Sequence, residues 1–329
     1  MKIIFTVLSV LFVAASVSAQ TKQPGKYTIE QYLNIRSASA PSFSPTGDRL
    51  AYLTNVTGTN QVWIIAASGG APKQLTNYED NIGFVAFSPA DDAIVFGKAS
   101  GGDENTQFFW MRADGSGVKA LTSDPKVRHK FGDWSEDGKR IFYASNKRNR
   151  NYFDIYAMDI PSGKEELILQ HDGSNSVAAV SKDGRKIIVS RSGTELSLDN
   201  DLYLVDAASR NAVHLTPHTG AAQFGDVHFL DNDRISLTSN DKCEFQEIRV
   251  MNLSSPKIEG GCTAKMEVDS VEIAEDGNTR AISINNQGAS ELFTPPLDNA
   301  SSSRYPVQLP GKGVVGSLEF DKNGSKLAF

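Results

Sequence analysis

One short motif recurs seven times along this chain, and its spacing constrains the fold more than any other feature. An apolar residue is followed by Ser or another small residue. An acidic or Pro-containing turn with Gly comes next, and then a β-rich run. Clear copies span residues 43–52, 87–96, 134–143 and 180–189, with weaker copies at 229–236, 273–282 and 320–329. Measured at the second position, they stand at Ser44, Ser88, Ser135, Ser181, Leu230, Ala274 and Asp321, in steps of 44, 47, 46, 49, 44 and 47 residues. Every copy but the last is followed by strand, turn and strand, often ending in Leu-Thr, as at Leu75-Thr76, Leu121-Thr122 and Leu215-Thr216.

Asp-Gly and Asn-Gly between β-rich runs supply the positive-φ positions of tight hairpins. Alternating apolar residues bury one face of each strand. Each repeat therefore predicts two hairpins, hence four short strands. A lone sheet of that size cannot bury both faces, whereas radial stacking does so and shelters the edges. A period in the forties fits propeller blades. The expected fold is an all-β, seven-bladed β-propeller of four-stranded blades over residues 41–329, with six complete blades and the last incomplete. The seventh repeat supplies strands near Ser317–Phe320 and Lys326–Phe329, and the other repeats predict one further strand pair. The expectation is a fragment whose ring closure leaves strand edges open.

Residues 1–19 read as a signal peptide. Lys2 gives a positive start, Ile3 to Val17 is apolar, and Val17-Ser18-Ala19 puts small residues before a cleavage point at Gln20. An uncleaved anchor is the alternative, against which the run is short: a span needs roughly 20 residues. Residues 20–40 form an N-terminal segment. Its Thr28 cap candidate, with Ile29, Tyr32 and Leu33 on one face, predicts a short helix. Export implies a periplasmic or secreted protein with no membrane association after cleavage. Cys243 and Cys262 flank a predicted hairpin, Glu247–Leu253 and Pro256–Gly260, so an oxidising compartment makes them a candidate disulfide. Two unpaired small side chains are the alternative.

Most constellations that could carry chemistry reduce to structure. The formal net charge is −6 with scattered Lys and Arg, so no basic stripe points to nucleic acid. No Gly-x-Ser-x-Gly nucleophile elbow occurs. His129, His171, His214, His218 and His228 lie on scattered turns and strands and read as surface or core residues. Gly311 to Gly316 spells G-x-G-x-x-G but leads into a repeat strand, not a helix. Gly132 to Lys139 resembles a phosphate loop, but it has five residues between its glycines and is the third repeat turn. The Asp-rich turns lack the dense oxygen ligands of a calcium loop. No catalytic, cofactor or metal residue is expected. The most basic stretch, Asn146 to Asn151, reads as a solvated loop between two strands, with contact to a partner or substrate as the sharper alternative. Sequons stand at Asn55, Asn252, Asn299 and Asn323.

The run Phe43 to Tyr52, with Asp154-Ile-Tyr-Ala-Met-Asp159, resembles the propeller repeats of TolB from the Tol–Pal system. It equally resembles the N-terminal propellers of the prolyl oligopeptidase family of serine peptidases. Two stretches favour the peptidases: Tyr27 to Ile35 followed by Ala40 to Pro45, and Ala144 to Asn149 followed by Phe153 to Tyr156. The peptidase resemblance implies a substrate-gating ring that admits short peptides, with the Ser-Asp-His machinery on an α/β-hydrolase domain absent from these residues. The TolB resemblance implies a non-enzymatic ring that binds a protein partner.

Overall fold

The turn of each repeat folds as its residues dictate. In a computed structural model, residues 27–259, 261–275, 277, 279–295 and 305–329 are described. The expected signal peptide therefore lies outside the described residues. Gly47, Gly138, Gly184, Gly277 and Gly324 adopt φ of 65, 66, 66, 68 and 65°, the left-handed conformation in which a Cβ is strained. The Ser of the motif is the buried half of the same turn. Ser44 Oγ donates to Asp48 at 2.7 Å and accepts from Arg49 N at 3.1 Å. Ser135 donates to Asp137 at 2.6 Å and accepts from Arg140 N at 2.9 Å. Ser181 donates to Asp183 at 2.7 Å and accepts from Lys186 N at 2.9 Å. In the last repeat Asp321 takes over, accepting from Ser325 N and Lys326 N at 2.7 Å each. The repeated Ser is a hairpin brace, which accounts for its recurrence without any chemistry.

Every sheet is an antiparallel meander in chain order. Four-stranded blades occupy residues 38–74, 82–120, 129–169, 175–214 and 224–259. The sixth sheet, residues 268–293, has three strands among the described residues. Its fourth position, expected to be a strand near Val307–Leu309, pairs only through the bridge Phe293↔Pro306. Pro306 takes a non-hydrogen-bonded position of that pair, where its missing N–H costs the ladder nothing. Tyr305 O and Val307 N still bond the third strand, at 2.9 and 2.8 Å. The seventh repeat gives only the hairpin Glu319–Phe320 and Leu327–Ala328. Among the described residues the structure thus shows six blades and a hairpin, where seven blades were expected.

Apolar residues on both faces of the second strand place the core between blades. Ile94, Val95 and Phe96 are fully buried, as are Ile141 to Ala144 and Ile187 to Val189. One cluster joins Leu53 and Val62 of the first blade to Ile94 and Phe96 of the second. Later clusters join each following pair of blades in the same way. Burying a side chain such as Phe96 contributes about 1.5–3 kcal/mol. The innermost strand of each of the six blades carries a register shift, for instance between Ser39 and Ser42, and between Gly225 and His228. Such bulges raise the local twist and re-aim side chains.

The final hairpin sits where a blade preceding the first would stand. Ser42 of the first blade accepts a bond from Phe87 N of the second at 3.0 Å. Glu319, at the same place in its repeat, accepts one from Phe43 N of the first. The turns repeat this relation. A Cβ at Gly138 would stand 2.5 Å from Ser88 Oγ in the preceding blade, and one at Gly47 would stand 2.8 Å from Asp321 Oδ2. Gly47→Ala is therefore expected to lose about 1–3 kcal/mol, from backbone strain plus this contact. Gly277→Ala has the same φ sign with nothing within 4 Å, so it should lose less. Urea midpoints compare the two, and equal losses would mean the hairpin is not docked on Gly47.

Residues 27–36 stand apart from the blades as a separate unit. Within them lies α1 (Ile29–Leu33), where Thr28 and Gln31 form a reciprocal capping box. No helix among the described residues is long and apolar enough to cross a membrane.

Candidate functional site

The innermost strands converge on a central channel, where a cavity of about 520 Å³ opens. One residue from each repeat, the one before the apolar residue of the motif, forms a layer around it. These are Ser42, Ala86, Asp133, Ala179, His228, Glu272 and Glu319. Three of the seven are carboxylates, placed in one layer only because the strands converge.

Their surroundings raise the pKa of all three acids. Asp133 is exposed to solvent in the channel. The protein around it still pushes its carboxyl up to about 6, with the Trp134 N–H opposing and Glu275 adding repulsion. Burial, reinforced by Asp133 and Glu275, raises Glu319 to about 8 against the bond from Phe43 N. Glu272 is raised well above the usual carboxylate range, first by burial and then by Glu319, Asp226 and Asp133. His228 does not neutralise this layer. Its Nε2–H donates to Val271 O at 3.0 Å, and burial lowers its pKa, so the ring is neutral and 3.9 Å from Glu272. Asp226 accepts from Val271 N at 3.0 Å, so the two side chains pin the fifth blade to the sixth through one residue.

Lysines straddle the mouth on the turn side. Lys182 of the fourth blade donates to Glu275 O of the sixth at 2.9 Å. Lys322 of the hairpin reaches Pro89 O of the second blade at 3.4 Å. Each skips a blade. The channel thus presents cations at its mouth and acidic side chains with raised pKa within, an arrangement able to hold the polar ends of an extended chain.

The other sequence candidates are dispersed. His129 is buried against Phe108 and Tyr143, which lowers its pKa to about 4. His171 is exposed, and His214 pairs with Asp201 at 2.7 Å. His218 lies between Thr216 O and Asp199, at 2.8 and 3.0 Å. Burial works against charge on that ring, but these acceptors outweigh it and its pKa is raised. None of these four lines the channel cavity. The glycines at 311–316 open no helix; Gly313 O accepts from Ser290 N at 2.8 Å along the sixth blade's edge.

The basic stretch 146–151 is not the solvated loop expected. Arg140–Asn149 is a single ten-residue strand. Arg148 donates to Asp154 at 2.7 and 3.0 Å and to Asp172 at 2.9 Å. Lys147 pairs with Glu165, which also accepts from Tyr143. Local acids fix Lys147 and Arg148, and Arg150 at the turn is exposed.

Cys243 and Cys262 form a disulfide, S–S 2.07 Å. With Glu247 they are the one close group of metal-ligand side chains among the described residues. The sulfurs are joined and Arg249 stands beside them, so the group offers no thiolate to a metal.

Comparison with known proteins gives this architecture a lineage. Residues 28–167, through the third blade, match the TolB beta propeller domain. That stretch resembles TolB-type propeller repeats. It is 28% identical to the Tol-Pal system protein TolB of Helicobacter hepaticus over 209 residues, 58% of this chain and 47% of that protein. It is 26% identical to dipeptidyl aminopeptidase BIII of Pseudoxanthomonas mexicana over 132 residues, 39% of this chain and 19% of the peptidase. The matches thus span less than half the length of each relative. In three dimensions it resembles a chain from a structural analysis of two prolyl endopeptidases, with a TM-score of 0.66, 16% identity and coverage of 88% of this chain and 45% of that one. That likeness establishes the propeller fold. Parts of the chain are thus similar to both a peptidase and a Tol-Pal protein.

Proposed function

We propose that this propeller gates substrate for an exported serine peptidase, acting in the periplasm or outside the cell, with the chemistry on an α/β-hydrolase domain beyond these 329 residues. The observation that carries the reading is the channel: seven inner strands around a cavity of about 520 Å³, acids within and lysines across the mouth. A cavity of that volume would hold a short stretch of extended peptide and not a folded domain. The relation to a dipeptidyl aminopeptidase supports the same reading. The ring would close as a seventh blade when two further strands join the hairpin.

In this account the repeated serines brace turns and the chain alone is inert. The purified protein is expected neither to hydrolyse short peptides or esters nor to be labelled by a fluorophosphonate. Labelling of any of its serines would refute the assignment of chemistry to another domain. The second reading is a TolB-like ring that binds a protein partner, favoured by the longer stretch matched to TolB.

A further inference from the structure

The two sulfurs of the disulfide have different surroundings. Cys262 is exposed, whereas Cys243 is half-buried. Arg249, only 6% exposed, places Nη2 3.0 Å from Cys243 Sγ. Its Nη1 donates to Gly261 O at 2.9 Å. Glu247 lies 3.7 Å from the guanidinium, but its oxygens are taken by Thr263 N at 2.8 Å and Thr263 Oγ1 at 3.1 Å. A buried cation is thus spent partly on a neutral disulfide sulfur, a weak acceptor. With the bridge open, the same atom is a thiolate, and the contact becomes a charge-assisted hydrogen bond.

We propose that Cys243–Cys262 is an exchange-active disulfide, in which small thiols attack Cys262 and Arg249 receives Cys243 as the leaving thiolate. The electron pair of an incoming thiolate forms a new S–S bond to Cys262 Sγ. The Sγ–Sγ pair departs with Cys243. A second thiol then attacks the adduct, releasing the external disulfide and Cys262 as a thiol. Two thiols supply the two electrons, and the chain ends as a dithiol. Leaving-group stability speeds such exchange, and access decides which sulfur is attacked.

The bridge clamps the edge of the fifth blade. Cys243 precedes its third strand, Glu247–Asn252, and Cys262 follows its fourth, Ile258–Glu259. That fourth strand pairs at two positions only, Val250↔Glu259 and Met251↔Ile258. Opening the bridge leaves this short strand as the sole cover on an otherwise open edge. The site is therefore one of reversible thiol modification that unlocks a blade edge.

The test treats the folded chain with millimolar glutathione, quenches with N-ethylmaleimide and maps both cysteines by mass spectrometry. The expected product carries glutathione on Cys262 and maleimide on Cys243. Glutathione on Cys243, an even distribution, or no reaction until the chain is denatured would each overturn the proposal. Arg249→Gln should slow opening about tenfold, and Arg249→Lys should restore most of the rate. An unchanged rate in Arg249→Gln also overturns it. Should that variant fail to fold, the adduct map of the unaltered chain still decides.

Discussion

Replacing Glu319 by Gln is expected to stabilise the ring above neutral pH and to flatten its dependence on pH. The carboxyl is raised from 4.5 to about 8 in the folded chain. Below the unfolded value, both states hold the proton and nothing is lost. As pH rises from about 4.5 towards 8, the unfolded chain releases its proton while the folded chain retains it, so stability falls. Each pKa unit corresponds to about 1.4 kcal/mol, which puts the whole window at a few kcal/mol. Gln keeps an oxygen for Phe43 N and removes the ionisation. Urea unfolding at several pH values should show the unaltered chain weakening across the window and Glu319→Gln weakening much less. Equal slopes would mean that Glu319 is not enclosed at the seam between hairpin and first blade.

Gly132→Ala should be among the most damaging single methyls in the ring. A Cβ there would stand 2.4 Å from Val177 Cβ, 2.8 Å from Val177 Cγ1 and 2.9 Å from the backbone oxygen of Phe142. Val177 belongs to the next blade's inner strand, so the methyl drives two blades apart as well as straining its own sheet. Overpacking of this kind costs about 1–3 kcal/mol, and a backbone oxygen cannot rotate away. The double variant Gly132→Ala/Val177→Ala relieves the contact between blades and should recover part of the loss. Denaturation midpoints of the three proteins measure this coupling. Additive losses would show that the blades do not meet at Gly132.

Much of this was legible in the repeat. The Ser and Gly positions predict the braced hairpins, and the structure supplies the reason in the bonds from Ser44, Ser135 and Ser181. The channel layer also leaves a trace, because it is the residue two before each anchor. Asp133, Glu272 and Glu319 stand there in plain sight, but single acids on separate strands look like surface until the ring brings them together. Other features depend on contacts that no local pattern carries. The inner-strand bulges have no common residue. Asn146 to Asn151 has the composition of a loop, yet Asp154, Asp172 and Glu165 make much of it strand. In the sixth blade, Val307–Leu309 has strand character, but among the described residues it pairs only through the bridge at Pro306. Arg249 beside Cys243 reflects alternation along the hairpin, with no motif of its own.

The central claim is that the ring gates a peptidase whose chemistry lies elsewhere. The gene beyond codon 329 tests it most directly. The account predicts two further strands in the same reading frame and then an α/β-hydrolase domain with a Gly-x-Ser-x-Gly elbow. A stop codon after one more strand pair would contradict it and leave the TolB-like binding ring.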